Sequence, residues 1–432
     1  MNFNRKSIFS FFLILLISSF PLIIFIKPVK AYLNTPEISG KSAVLMDAAS
    51  GRVLYEKNAH ERLPMASLTK IMTAFLTVEN GDLDEKVKVS KYAASIPECS
   101  IYLEPGEVLT RRELLYAVML KSANDASVAL AESVAGSEKD FVKLMNKRAG
   151  ELGLKDTHYV NPHGLDANGH YSSAYDLALL SRKALQNKVF AEIVRTKYKT
   201  IPWEGHDEDR ALYNINRLLY RYEGTIGIKT GYTRKAGNCV VGAAQKGDMV
   251  LIAVSMNSPA VYDDLTRMLN YGFKNYKMFN IASKKQVFAE VKVNGGETET
   301  VKINLNEDLK VAATSDEIPY ITYQITVPDK ISAPVKKGEK IGECKLYLKD
   351  EEPLASVDMV AGETVSLQRV PAFVMVAKRI FDNWWIYFSG ILVLLIYYKR
   401  KKNISLEGYL KQFLRWLLKR KIEQMKEKKR II

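Results

Sequence analysis

Ser67-Leu-Thr-Lys70, running on into Ile71-Met-Thr-Ala-Phe75-Leu76, is the stretch whose reading decides this 432-residue chain. Residues three apart on a helix share a face, so the Lys70 amine can reach the Ser67 hydroxyl and take its proton. A serine becomes a nucleophile in this way without histidine. The approach Pro64-Met-Ala and the recurrence of Ile71, Met72, Phe75 and Leu76 predict a helix over Leu68 to Val78. Ser67 then sits at the positive end of its dipole.

Two further motifs follow in order, Ser122-Ala-Asn124 and Lys229-Thr-Gly231. A helical pattern over residues 110–135 breaks at the first, which puts polar groups on a loop between helices. The second falls in a region of strand pattern: Ile226-Gly-Ile-Lys229, a turn at Arg234 to Gly237, Cys239-Val-Val241, and Val250 to Val254. Lys229 is therefore expected on a strand. Upstream, Ala43 to Met46 and Val53 to Tyr55 flank a glycine-containing turn and predict a hairpin. S-x-x-K and K-T-G occur once each and S-x-N twice, the second copy being Ser255-Met-Asn257 at a strand end. Lys70 alone reads as a solvated helix lysine; the order and placement of all three motifs outweigh that reading.

With 47% hydrophobic and 26% charged residues the chain can bury a sizeable core, over two or three domains. The formal net charge of +15 sits at the ends: residues 1–31 hold four basic residues and no acids, and residues 399–432 hold 13 Lys or Arg against Glu407, Glu423 and Glu427. These contribute +4 and +10, leaving +1 for residues 32–398, and give no electrostatic case for nucleic acid. Residues 1–31 read as a signal peptide: Arg5 and Lys6, an apolar run from Ile8 to Ile26, then Val29-Lys30-Ala31. The run is longer than the usual signal core of about 7–15 residues, so an uncleaved anchor interrupted by Pro21 is the alternative. Either version sends the body outside.

Near the other end, Trp384 to Tyr398 is uncharged, edged by Trp384, Trp385, Tyr397 and Tyr398, and followed by Lys399 to Lys402. Aromatic belts with a positive inner flank predict a membrane helix over 384–398. At about 1.5 Å per residue it rises roughly 22 Å, short of the roughly 30 Å hydrocarbon core, so flanking residues must contribute; a buried core helix is the alternative. Residues 399–432 read as a basic cytoplasmic amphipathic tail, with Leu406, Leu410, Phe413, Leu414 and Leu417 on one face and Lys411, Arg415 and Lys419 on another. Residues 281–375 carry alternating short runs and turns and are expected to form a separate all-β domain after a helix over Tyr262 to Tyr276. Cys99, Cys239 and Cys344 are too few for a disulfide framework, and five histidines without H-E-x-x-H give no zinc site.

The three motifs resemble the S-x-x-K, S-x-N and K-T-G set of penicillin-binding proteins and class A β-lactamases. With His163-Gly-Leu-Asp166, Tyr171-Ser-Ser-Ala174 and Gly227-Ile-Lys-Thr-Gly-Tyr-Thr233, the chain resembles the serine D-alanyl-D-alanine carboxypeptidases over roughly residues 37–375. The resemblance implies an α+β fold of the serine β-lactamase/DD-peptidase type, an antiparallel sheet flanked by helices over 32–280. A small all-β sandwich-like domain, a C-terminal membrane helix and no cofactor complete the expectation. It implies that Ser67 attacks the carbonyl between two terminal D-alanines of a peptidoglycan pentapeptide stem, that Lys70 accepts its proton, and that Ser122 relays a proton to the leaving D-alanine. Asn124 would orient the substrate amide and Lys70. Lys229 and Thr230 would receive the terminal carboxylate, with Gly231 beside them, and the backbone N–H groups of Ser67 and Tyr232 would form the oxyanion hole. β-Lactams would acylate Ser67, and the body would face the cell wall from the membrane. Two positions depart from relatives: Ala123 stands where many carry Gly or Asp, and Tyr232 where some carry His.

Rival readings are a D,D-endopeptidase with the same groups, a β-lactamase, for which the deacylating Glu is replaced by His163-Gly-Leu-Asp166, and a non-catalytic cell-wall scaffold. Beyond the motifs, His163 and Asp166 read as loop-forming, His158 and His170 as structural or exposed, Asn214 and Asn216 as turn-stabilising, and Trp203 to Arg210 as a solvated loop.

Overall fold

The computed structural model describes residues 35–349, 353–368, 378–379, 381–402 and 406–428. The signal-peptide expectation for 1–31 lies outside the described residues. Two compact units divide the chain, the first comprising residues 1–289, 303–327 and 340–360, the second residues 290–302, 328–339 and 361–432.

In the first unit, β1 (Ser42–Asp47) and β2 (Val53–Lys57) form the expected hairpin, Leu45 facing Tyr55. The segment around Ser67 begins as a 3-10 turn over Ala66–Thr69 and continues as α1 (Lys70–Glu79). From Lys70 to Thr77 every residue of α1 is buried, Lys70, Thr73 and Thr77 included. Short strands β3 (Lys86–Lys88) and β4 (Val108–Thr110) pair, and Thr110 caps α2 (Arg111–Tyr116) in a reciprocal box with Glu113. After α3 (Asn124–Ala135) come α4 (Glu138–Glu151), α5 (Ala174–Leu185) and α6 (Lys188–Arg195), whose N-termini are capped by Ser137, Ser173 and Asn187.

A second hairpin joins β5 (Tyr198–Ile201) to β6 (Arg210–Tyr213). The loop between them is exposed, as expected, but Arg210 is not solvated: it is buried and pairs bidentately with buried Glu107 while its guanidinium lies over Trp203. The partner is 103 residues away, so no local pattern marks it.

Strands β7 (Thr225–Thr233), β8 (Gly237–Lys246) and β9 (Met249–Met256) complete an antiparallel sheet of order β2-β1-β9-β8-β7, with β7 at an edge. Both faces are covered, so β1 reads as a continuous buried run rather than an alternation. The period of two still sorts its side chains. Val44 and Met46 join the core built on Ile71, Phe75 and Leu180, whereas Ala43 and Leu45 join the core with Leu265, Met268 and Leu269 of α7 (Val261–Asn275).

The remainder of the first unit includes the antiparallel pair of β10 (Lys277–Ala282) with β13 (Leu309–Ala313) and the antiparallel run β14 (Ile321–Thr326), β16 (Lys340–Leu348), β17 (Pro353–Ala361). β11 (Val287–Asn294) is followed in the chain by β12 (Thr300–Leu305), and in the second unit Lys292 to Asn294 of β11 pair in parallel with β15 (Lys330–Ser332). Residues 378–379 and 381–402 include a helix over Trp384–Lys402, and another spans Leu406–Lys428. Among the described residues no helix is long and apolar enough to cross a membrane. The helix over the expected span runs on into Lys399 to Lys402, and its uncharged part is the 15-residue stretch already noted.

Asp264 of α7 is fully buried and accepts from Ser39 N (2.9 Å), Gly40 N (2.9 Å), Ser258 Oγ (2.6 Å) and Ser255 Oγ (3.2 Å), pinning the segment before β1 to the sheet. The second S-x-N copy is thereby structural. Burial pushes the Asp264 carboxyl up, but hydrogen bonds from Ser258, Ser39 and Gly40 outweigh it and hold it below the usual carboxylate range. Its contribution is present above the unfolded carboxyl pKa and is lost as pH falls through the lowered folded value. Asp264→Ala strands several buried donors and is expected to destabilise the protein by about 3 kcal/mol, read as a lowered denaturant midpoint at neutral pH.

Candidate active site

The turn that carries Ser67 is held in an uncommon conformation from several sides. Ala66 has φ 47°, in the left-handed region that few non-glycine residues adopt. Thr69 Oγ1 donates to Ala66 O at 2.8 Å. His170 meets the same hydroxyl through Nε2 at 2.8 Å while Nδ1 accepts from Val160 N, so the proton sits on Nε2. Burial, then the charges of His158 and Lys70, push His170 down to about 4, in keeping with a neutral ring. On the outer side Gly164 closes the turn: at φ 94° it needs glycine, and a Cβ there would stand 2.0 Å from Ala66 O.

Lys70 lies one helical turn after Ser67 and is wholly buried. Its Nζ is 3.0 Å from Ser67 Oγ, 2.7 Å from Asn124 Oδ1 and 2.6 Å from His163 O. The backbone of His163 therefore touches the site, which the sequence reading treated as a loop. That loop is fixed by Asn161, whose Oδ1 accepts from His163 N and Gly164 N, and by Thr73, which donates to Pro162 O at 2.6 Å. The His163 imidazole is pushed down to about 3 by burial and by Lys70, so its 3.8 Å approach to Glu138 is not an ion pair. Asp166 accepts from Thr233 Oγ1 at 3.0 Å.

Ser122 and Asn124 sit where a helix is interrupted and restarted. After α2 the chain makes a π-helical turn over Ala117–Lys121, then Ser122 takes the left-handed conformation, φ 63° and ψ 30°, before Asn124 opens α3. A π-turn followed by a left-handed residue re-aims the chain. Ser122 ends up 2% exposed, and its hydroxyl has no hydrogen-bond partner among the described residues. Asn124 divides its bonds: Nδ2 donates to Pro97 O at 2.9 Å, its N–H to Cys99 O at 2.6 Å, and Oδ1 receives Lys70. The next residue, Asp125, is buried and accepts from Ser100 Oγ (2.6 Å), Ile101 N (3.2 Å) and Leu103 N (3.1 Å), strapping that loop to the motif.

Lys229 lies on β7 as expected, opposite Val241, and its buried Nζ donates to Thr230 O at 3.1 Å. The edge strand passes so close to the Ser67 turn that a Cβ on Gly231 would lie 2.9 Å from Ser67 N. Ser67, Ser122, Thr230, Gly231 and Tyr232 share one open cleft of about 380 Å³. Arg217, Ile215, Tyr262 and Cys99 also line it, and none of these was read from the sequence as a site residue. Asn214 and Asn216 do form the turn that presents Arg217, accepting from Asn216 N and Leu218 N.

Burial, then repulsion from Lys229, holds Lys70 well below the ordinary lysine range. Burial alone lowers Lys229 to about 7, against a small opposing attraction from Cys99. A lysine amine held well below its ordinary range and in contact with a serine hydroxyl, with a second serine on the same cleft, is the arrangement of a serine hydrolase of the serine–lysine class.

Residues 30–260 match the family model described as D-alanyl-D-alanine carboxypeptidase, and residues 276–366 match that described as penicillin-binding protein 5, C-terminal domain. The chain is 39% identical over 353 residues to the D-alanyl-D-alanine carboxypeptidase DacF of Bacillus subtilis, covering 80% of this chain and 90% of that one. It is 33% identical to DacC of Escherichia coli, covering 82% and 92%. Among solved structures, penicillin binding protein 5 from Haemophilus influenzae superposes with a TM-score of 0.62 at 28% identity, over 77% of this chain and 98% of that one. The chain belongs to the D-alanyl-D-alanine carboxypeptidase family and has its fold, a sheet with helices and a C-terminal β domain.

Gly164→Ala is expected to push the Ala66 carbonyl and displace Ser67. Labelling by fluorescent penicillin should slow at least tenfold while the denaturant midpoint falls by only about 1–3 kcal/mol equivalent.

Proposed function

We propose that Ser67 is the nucleophile that removes the terminal D-alanine from peptidoglycan pentapeptide stems. The observation that carries this reading is the environment of Lys70. Two of its three contacts, Asn124 Oδ1 and His163 O, can only accept, so both N–H bonds of a neutral amine are committed to them. The lone pair is left facing Ser67 Oγ at 3.0 Å, where it takes the hydroxyl proton as the oxygen attacks the substrate carbonyl. The scissile C–N bond then breaks, and the departing amine takes a proton through the Ser122 hydroxyl. Water hydrolyses the resulting ester on Ser67.

The negative charge on the tetrahedral oxygen goes to the backbone N–H groups of Ser67 and Tyr232, each such donor being worth about 3 kcal/mol. The close passage of Gly231 beside Ser67 N supports that pairing. Lys229 and Thr230 receive the terminal carboxylate by charge-assisted hydrogen bonds, and Arg217 adds a permanent positive charge to the same cleft. β-Lactams mimic the dipeptide and acylate Ser67. We take residues 32–280 as the catalytic domain and 281–375 as the β domain. We further propose that the segment around 384–398, with its aromatic edges and basic flank, holds the body on the outer membrane face. Protease added to intact protoplasts should then digest the body and spare the tail; a shielded body overturns the topology.

D-alanine release from a pentapeptide stem and fluorescent-penicillin labelling are expected to vanish together in Ser67→Ala. Labelling of the unaltered protein without release would move the activity to cross-link cleavage or β-lactam hydrolysis.

Lys229 is charged below about 7 and neutral above it. Binding of an anionic terminus uses the charged form, so kcat/KM should fall as pH rises past 7, by about tenfold or more for the loss of one charge-assisted hydrogen bond. In Lys229→Arg the cation persists to high pH, and the fall should move above pH 9 even if the absolute rate is lower.

A further inference from the structure

Acyl transfer makes no use of the exposed thiol in the cleft. Cys99 is exposed and shares the cleft with Ser67 and Ser122. Cys239 also borders it but is buried, and burial pushes its thiol up to about 11; Cys344 is buried as well. Chemistry directed at thiols therefore has one accessible target among the three. The cleft is built to hold a guest, independently of the cysteine: Ser122, one of its lining residues, is 98% buried, and its hydroxyl has no partner among the described residues. Cys99 is also tied to the machinery through its backbone, because its carbonyl accepts from Asn124 N at 2.6 Å, and Asn124 in turn holds Lys70 at 2.7 Å.

We propose that Cys99 is a modification site for small disulfides, and that a mixed disulfide there shuts the acyl-transfer cleft reversibly. The thiol gives its proton to solvent and the thiolate sulfur attacks one sulfur of the reagent. The reagent's S–S bond breaks, one half stays on Cys99, and the other half leaves as a thiolate. Excess free thiol reverses the exchange by the same route. The bound half occupies the space beside Ser67 and presses on the strand of chain that positions Asn124, so acylation is blocked twice over.

The inference rests on Ser67 being the residue that is acylated, and penicillin labelling of untreated protein checks that part separately. The test uses the full chain and the aromatic disulfide 5,5′-dithiobis(2-nitrobenzoic acid), each protein being compared with its own untreated sample. In the unaltered protein, penicillin labelling and D-alanine release should drop at least tenfold on treatment, with one thionitrobenzoate mapped to Cys99 by mass spectrometry, and return on addition of excess thiol. Cys99→Ser should keep its own untreated rate in the presence of the reagent. Prior acylation by penicillin should slow modification of Cys99, a readout that does not depend on any variant folding. Full labelling with Cys99 quantitatively modified, or equal loss of activity in Cys99→Ser, overturns the proposal.

Discussion

The proposed chemistry depends on keeping the Lys70 amine out of water. An ammonium in water would hold its proton and leave Ser67 inert as a nucleophile. Buried against Lys229 and offered only two carbonyl acceptors besides the serine, the amine gains by losing that proton. The surrounding structure is the means of achieving this. α1 is buried along its length, α3 delivers the Asn124 carbonyl from one side, and the Asn161–Leu165 loop delivers the His163 carbonyl from the other.

The double-faced sheet supplies the rigidity that such placement needs. β1 has a core on each face and the segment before it is held by Asp264, so β7 hangs as an edge strand from a fixed frame. From that edge Gly231 approaches the Ser67 turn, and the absence of a side chain there sets how near the strand can come. Of the non-glycine residues with positive φ, Ala66 stands beside the Ser67 hydroxyl and Ser122 carries one of its own, whereas Asn58 and Lys349 lie outside the cleft. Around Ala66 and Ser122, polar straps from Asp125, Asn161, Thr69 and Thr73 fix backbone that packing alone would leave free.

Much of this was legible in the chain before any folding was considered. Hydrophobic recurrence located β1, β2, α1, α3, the β7 to β9 meander and α7 to within a few residues, because each is amphipathic or continuously apolar on the period of its own geometry. The serine and lysine of the first motif are neighbours on one turn, so their contact follows from spacing alone. The Arg210 to Glu107 pair, the Asp125 strap and the His163 carbonyl were not legible. Their partners are remote in sequence or belong to the backbone, and a charged residue that will be buried carries no local mark distinguishing it from one on the surface.

The sequence by itself determined the three motifs, their order, the elements that carry them and hence the class of chemistry, since these rest on short-range periodicity and on residue type. Tertiary structure alone decided which groups converge on Lys70, that Ser122 keeps an unpartnered hydroxyl, and that Arg217 and Cys99 enter the same cleft. Those outcomes come from the juxtaposition of segments tens to more than a hundred residues apart. What fixes them is the joint packing of two cores on one sheet, which no single segment encodes.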